Sequence, residues 1–175
     1  SVCLLVLNYN GIAHLEECLS SLERAASHYG RPCPVVLVDN RSTDDSVAFT
    51  QRRFPNVDVI VSPRNDCLFS LNDVVLGRPE EVVIVVNNDM RFDEGFVEPL
   101  VEHFANPEVF GVGAAIRDWR GLADTVGPRC ARVHQFWFYK WWSYDRQHAA
   151  LTLEACGGAA AFRRHMFVEL GDDLI

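Results

Sequence analysis

Residues 81–90, EVVIVVNNDM, constrain this chain more than any other stretch: five consecutive β-branched apolar residues, Val82 to Val86, run directly into Asn87, Asn88 and Asp89. So short and unbroken an apolar run predicts a strand buried on both faces. In an open α/β sheet ligands bind beyond the carboxyl ends of such strands, so Asp89 stands where a ligand would sit. Its carboxylate, beside amide oxygens, offers hard ligands suited to Mg²⁺ or Mn²⁺, and such a metal commonly shares its shell with a substrate diphosphate. The ordinary alternative is a turn, because Asn and Asp side chains hydrogen-bond nearby backbone. The rest of the chain decides between the two.

The same pattern recurs on either side. Val2 to Leu7 and Val35 to Val38 are short apolar strands, ending at Asn8-Tyr9-Asn10-Gly11 and at Asp39-Asn40. Between them Leu15, Cys18, Leu19, Leu22, Ala25 and Ala26 recur at helical spacing, and Gly30 and Pro32 close the helix. Ser42, Thr43, Asp44 and Asp45 read as a helix start, since hydroxyls and carboxylates cap free N–H groups; that helix runs to Phe54, before Pro55. Val57 to Val61 predicts a third strand, 65–77 a loop and helix, Asp93 the cap of a helix ending at Asn106-Pro107, and Val109 to Ile116 a further strand. Such alternation predicts a mostly parallel sheet with helices on both faces. It also sets Asp39 and Asp89 on one rim.

From Asp118 onward the pattern dissolves. Residues 118–150 carry Trp119, Phe136, Trp137, Phe138, Tyr139, Trp141, Trp142 and Tyr144, and read as an insert or lid within a single domain spanning 1–175. A flap over the core is favoured over an exposed aromatic platform for an acceptor or a membrane interface. Leu151 to Cys156 reads as a strand, Gly157-Gly158 as a close-approach point, and Ala159 to Phe162 as another short strand or helix entry.

The chain has 175 residues, 49% of them hydrophobic, enough for one well-formed core. A formal net charge of −8 argues against a nucleic-acid surface, which needs clustered Lys and Arg. The six cysteines show no CxxC pair and no zinc spacing, so they read as free thiols in a reducing compartment. No apolar run reaches the roughly 18 residues of a membrane span, and no signal peptide is visible. Because the chain opens directly on a strand and stops without a tail, it reads as a fragment. Neither GxxxxGK[ST] nor GxSxG occurs, and the only GxG, Gly111 to Gly113, lies inside an apolar strand and reads as backbone close-packing. His134, His148 and His165 suggest no triad. Any phosphate is therefore handled locally, with a metal as its counter-charge.

VLNYNG at 6–11, VLVDNRSTDDS at 36–46, NNDM at 87–90 and GGAAAFRR at 157–164, in that order, resemble the inverting nucleotide-sugar glycosyltransferases of family 2, rhamnosyltransferase-like members in particular. The resemblance implies a single GT-A, Rossmann-like α/β/α sandwich. It implies transfer of a sugar from a UDP-, dTDP- or GDP-linked donor to a glycan or lipid-linked acceptor hydroxyl, with Mg²⁺ or Mn²⁺, in cell-envelope or polysaccharide synthesis. A cytoplasmic location follows, at the inner face of the membrane if the chain associates peripherally with it.

By the same resemblance Asn8, Tyr9, Asn10, Asn40, Ser42, Asn65, Asn87 and Asn88 line the nucleotide. Asp39 accepts a base N–H, as an acceptor-only carboxylate can, and Asp89 holds the metal. Gly157 and Gly158 floor the acceptor site, with Trp141 and Trp142 on its side and Arg163 and Arg164 beyond. Asp172 and Asp173 are the candidate catalytic base, or lie upstream of it. Two departures stand out: Asn87 replaces the first Asp of the family's DxD, and Cys67 stands where a glycine is usual, though Cys takes φ > 0 less readily. The rival readings are a sugar nucleotidyltransferase, for which the Gly-rich loop is lacking, and a binding or partner module without turnover.

Overall fold

The computed structural model describes residues 1–120, 151, 152, 155 and 157–169 in full, and residues 124–126, 129–134, 137–142 and 170 as backbone. Strands β1 (Val2–Asn8), β2 (Val35–Asp39), β3 (Asp58–Val61) and β4 (Val82–Asn87) alternate with helices α1 (Ile12–Tyr29), α2 (Ser46–Arg53) and α3 (Ser70–Gly77), the last entered through a 3₁₀ turn at Cys67–Phe69. After α4 (Val97–Glu102) come β5 (Gly111–Gly113), β6 (Ile116–Arg117), β7 (Asp124–Val126), β8 (Arg129–His134), β9 (Trp137–Trp142), β10 (Ala159–Arg163) and α5 (Arg164–Leu170).

The main sheet has the order β3-β2-β1-β4-β10-β5. β1 pairs in parallel with β2 and β4, and β10 runs antiparallel to both β4 and β5. The period of two along each strand divides the core cleanly. Leu4, Val6, Leu37, Ile84 and Val86 face Leu15, Leu19 and Leu22 of α1 and Val97 and Leu100 of α4. Leu5, Val36, Val38, Val83 and Val85 face Leu71, Val74 and Val75 of α3 and Phe167 of α5. Both faces of β1, β2 and β4 are covered, so these strands have no polar side, which is why the sequence shows continuous apolar runs there.

Chain progress reverses at β1. The path steps from β1 to β2 to β3 in one direction, then returns to place β4 on the other side of β1. The carboxyl ends of β1 and β4 therefore flank the topological switch point, where an open α/β sheet leaves a crevice.

Several expectations change. The strand expected over 109–116 is two: Gly111–Gly113 joins the main sheet, while Ile116–Arg117 pairs with β7. Gly111 packs against Phe162, where an added Cβ would lie 3.1 Å from the ring, which fits close-packing. Leu151, Thr152 and Ala155 lie outside any strand. The aromatic segment contains an antiparallel β8–β9 ladder from Arg129↔Trp142 to His134↔Trp137. WFYKWW is bulky at every position, so the alternation that marks a strand is invisible in it.

Helix starts also differ. Asp45 caps α2 without a side-chain bond. Asp44 does that work at two helices: Oδ1 accepts from Ser46 N at 3.0 Å and Oδ2 from Ile12 N at 3.1 Å, tying the β1–α1 loop to the β2–α2 loop. Gly30, at φ 68, ends α1 in the left-handed conformation expected of a glycine cap.

Asp44 yields a test. Its slight burial raises the carboxyl pKa, but the bonds from Ser46 and Ile12 outweigh that and hold it below the ordinary value. A depressed folded-state pKa contributes stability that is present above the unfolded value, and that is lost as pH falls through the folded one. Urea denaturation should find Asp44→Ala less stable by about 1 kcal/mol at neutral pH. The difference should shrink below about pH 4.

Candidate functional site

β1 ends on Asn8, whose side chain is wholly buried. A buried amide must have its polar atoms paired, and each is. Nδ2 donates to Asp39 Oδ1 at 2.8 Å and to Ser42 Oγ at 3.1 Å, and Oδ1 accepts from Asn88 Nδ2 at 2.6 Å. Asp39 is 1% exposed and carries three protein donors: Asn8, the Ser42 hydroxyl at 2.6 Å and Ser42 N at 2.8 Å. A carboxylate has about four lone-pair positions, so one acceptor position of Asp39 remains for a ligand.

Asn10, at φ 50, turns the chain out of β1. Its Oδ1 accepts from Thr43 N at 2.7 Å and Asp44 N at 3.3 Å, while its own N donates to Ser42 Oγ at 2.9 Å. Ser42 is thus a bridge between loops, where the sequence suggested a helix cap. Tyr9, 53% exposed, presents its ring to solvent beside the crevice.

A second wall comes from the loop after β3. Asn40 donates from Nδ2 to Cys67 O at 2.8 Å, and its Oδ1 is buried without a donor among the described residues. Asn65 accepts from Cys67 N at 3.1 Å. Held at both backbone groups, Cys67 adopts φ 55, the conformation for which its side chain is poorly suited. The expectation drawn from the missing glycine is therefore corrected: the left-handed turn is kept and the strain is carried.

On the other side of β1, Asn87 donates its N–H to Gly158 O at 2.9 Å, bringing the Gly157-Gly158 turn against the NND loop. Gly157 is exposed, and among the described residues an added Cβ would meet nothing nearer than Leu68 Cδ1 at 4.0 Å. Asn88 and Asp89 do form a turn, yet Asp89 is exposed and makes no hydrogen bond or ion pair among the described residues. Cys18 touches Asn87 O at 3.8 Å, but burial, and then the charge of Asp89, push its thiol pKa up to about 12. It is no nucleophile.

The donor set suits a hard cation. Asp89 offers one unengaged carboxylate, and among the described residues no group of three His, Cys, Asp or Glu side chains converges. A divalent ion at Asp89 would complete its shell from phosphate oxygens and water, as Mg²⁺ habitually does.

Asn8, Tyr9, Asn10, Asp39, Asn40, Ser42, Asn65, Asn87, Asn88, Asp89, Gly157 and Gly158 thus gather at the switch point. Trp141 and Trp142 lie in β9 with side chains outside the described residues, as are Asp172 and Asp173. Arg163 and Arg164 are not beyond the glycine turn. Because β10 runs antiparallel, they stand at the opposite rim, where the Arg163 guanidinium donates to the carbonyls of Phe104, Asn106 and Val109 at 2.7–3.0 Å, and Arg164 to Glu80 O at 3.1 Å. Sequence reasoning missed Gly11 and Asp44 as site residues. Their signal is the pairing of NG after one strand with DD after the next.

Strain at Cys67 can be measured. Cys67→Gly should stabilise the chain by about 0.5 kcal/mol, relief of the left-handed turn less the chain entropy of glycine. Cys67→Val should lose about 1–3 kcal/mol. Both are read by urea denaturation.

The arrangement has known counterparts. The chain is 30% identical over 125 residues to the N-acetylglucosaminyl-diphospho-decaprenol L-rhamnosyltransferase of two Mycobacterium tuberculosis strains, CDC 1551 / Oshkosh and H37Rv. That match takes in 64% of this chain and 40% of each relative, so the chain spans about two fifths of the length of these curated relatives. Among solved structures it resembles a mannosyltransferase from Pyrobaculum calidifontis in complex with GDP-Man and Mn²⁺ (TM-score 0.72, 21% identity, 99% of this chain and 48% of that one). It also resembles S. aureus TarS 1-349 (TM-score 0.65, 15% identity, 99% and 51%). These likenesses show a shared fold, the mostly parallel GT-A sheet. The model of glycosyl transferase family 2 matches residues 3–171, and the chain belongs to that family.

Proposed function

We propose that this chain is the donor-binding part of a glycosyltransferase, moving a sugar from a nucleoside diphosphate to an acceptor hydroxyl with inversion. The observation that carries the reading is the joint placement, at one switch point, of a buried carboxylate with one acceptor position left and an exposed carboxylate with no partner among the described residues. Asp39 accepts the ring N–H of a nucleobase, uracil, thymine or guanine. Tyr9, Asn10, Asn40 and Asn65 line the nucleoside, and the buried Oδ1 of Asn40 awaits a ligand or water donor.

Asp89 holds Mg²⁺ or Mn²⁺, which when bound neutralises charge on the leaving diphosphate. The solved relative with GDP-Man and Mn²⁺ supports that pairing. Gly157 and Gly158 leave room for the acceptor, which the rhamnosyltransferase relatives suggest is a lipid-linked glycan. A carboxylate base, Asp172 or Asp173 among the candidates, takes the acceptor proton as its oxygen attacks. Among the described residues no helix is long and apolar enough to cross a membrane, and peripheral contact at its cytoplasmic face is part of the proposal.

Calorimetric titration with UDP, dTDP and GDP, each with Mn²⁺ and with EDTA, tests the reading. One nucleotide should bind more tightly with metal. Asp89→Ala should remove that enhancement and leave binding in EDTA unchanged. Asp39→Ala should weaken binding about 10- to 100-fold under both conditions. If no nucleotide binds, or Asp89→Ala keeps the metal enhancement, the reading is wrong.

A further inference from the structure

Asn8 stands between the two functional loops. Asp39 ends β2, Asn88 follows β4, and β1 lies between the two strands. Among the described residues the side-chain link between them is the Asn8 amide: Asn8 Nδ2 donates to Asp39 Oδ1 at 2.8 Å, and Asn8 Oδ1 accepts from Asn88 Nδ2 at 2.6 Å.

The polarity of this chain of bonds is dictated from one end. An ionised Asp39 can only accept, so the Asn8 amide must turn its NH₂ toward Asp39. The opposite flip would press an oxygen against the carboxylate and abandon the Ser42 bond as well. With NH₂ so placed, Asn8 Oδ1 points the other way. It is buried and needs a donor, and Asn88 supplies one only by turning its own NH₂ inward. The Asn88 carbonyl oxygen is thereby left outward, without a protein donor among the described residues, in the turn shared with Asp89.

Gly11 makes the contact sterically available. Its φ of −108 and ψ of 20 are ordinary for any L-residue, so conformation does not demand glycine here. Space does: an added Cβ would lie 1.8 Å from Asn88 Nδ2 and 2.5 Å from Asn8 Oδ1.

We propose that Asn8 is a positioning residue that relays the orientation of Asp39 through two amides in series to Asn88, and that Gly11 keeps the relay open. The loop that reads the nucleobase and the loop that meets the diphosphate are then set as one unit, which would let NND present an oxygen where the family's DxD has a carboxylate nearby. The functional part of this inference rests on the nucleotide-sugar reading above.

Two measurements test it, one of which needs no ligand. In ¹⁵N-labelled chain, Asp39→Asn should shift the side-chain amide resonances of both Asn8 and Asn88. In a Gly11→Ala background the same change should still move Asn8 and no longer move Asn88. An Asn88 resonance that ignores Asp39→Asn in the wild type, or that responds equally with Gly11→Ala, overturns the relay. In calorimetry Gly11→Ala should weaken nucleoside diphosphate binding about tenfold, the loss of one hydrogen-bond-sized interaction, with a melting temperature lowered no further than by Asn88→Ala, which unpairs the same Asn8 oxygen. Gly11→Ala combined with Asn88→Ala should bind no more weakly than Asn88→Ala alone. Full additivity, or unchanged affinity in Gly11→Ala, overturns the positioning role, whereas failure of the wild type to bind any nucleotide refutes the donor-site reading and leaves the amide experiment to judge the relay.

Discussion

An amide buried at the end of a central parallel strand has no water to turn to, and the loops around Asn8 are arranged to meet that demand. Both of its NH₂ hydrogens and its oxygen are paired, the hydrogens with Asp39 and Ser42 at the end of β2 and the oxygen with Asn88 after β4. Leaving any of these groups unpaired would cost about 1–3 kcal/mol. The loops after β1, β2 and β4 are therefore fixed relative to one another before any ligand arrives. Asn10 and Asp44 reinforce the same union from the surface, each bonding the other's loop.

That union depends on the sheet beneath it. β1 is held on both sides by parallel partners and covered on both faces, so its end cannot drift. The reversal of strand order at β1 opens a crevice there, and β10, entering antiparallel, closes the far side of β4 with Gly158 hydrogen-bonded to Asn87. A rigid frame thus carries the strained Cys67 turn and the exposed Asp89 carboxylate, the two features that local stability alone would not select.

The strands and first helices were legible because a strand buried on both faces writes its length directly as an apolar run, and α1 its face as helical spacing. The carboxylates at the strand ends were legible for the same reason. What could not be read was pairwise and distant. Ser42 looks locally like a helix cap, and only its contact with Asn8 and Asn10, more than 30 residues away, shows it to be a bridge. Arg163 and Arg164 follow the glycine pair in sequence, but strand direction, which no local pattern encodes, carries them to the opposite rim. Cys67 shows the reverse case, where a residue preference pointed away from φ > 0 and tertiary hydrogen bonds at its N–H and C=O prevailed.

The most direct test of the account is a crystal structure of the chain grown with Mn²⁺ and the nucleoside diphosphate it binds best, with anomalous diffraction locating the metal. The account predicts an anomalous peak about 2 Å from an Asp89 carboxylate oxygen, bridging to the diphosphate, with the nucleobase edge against Asp39 and the Asn8 amide unmoved. A nucleotide seated at the opposite rim beside Arg163 and Arg164, or a metal held away from Asp89, would contradict it.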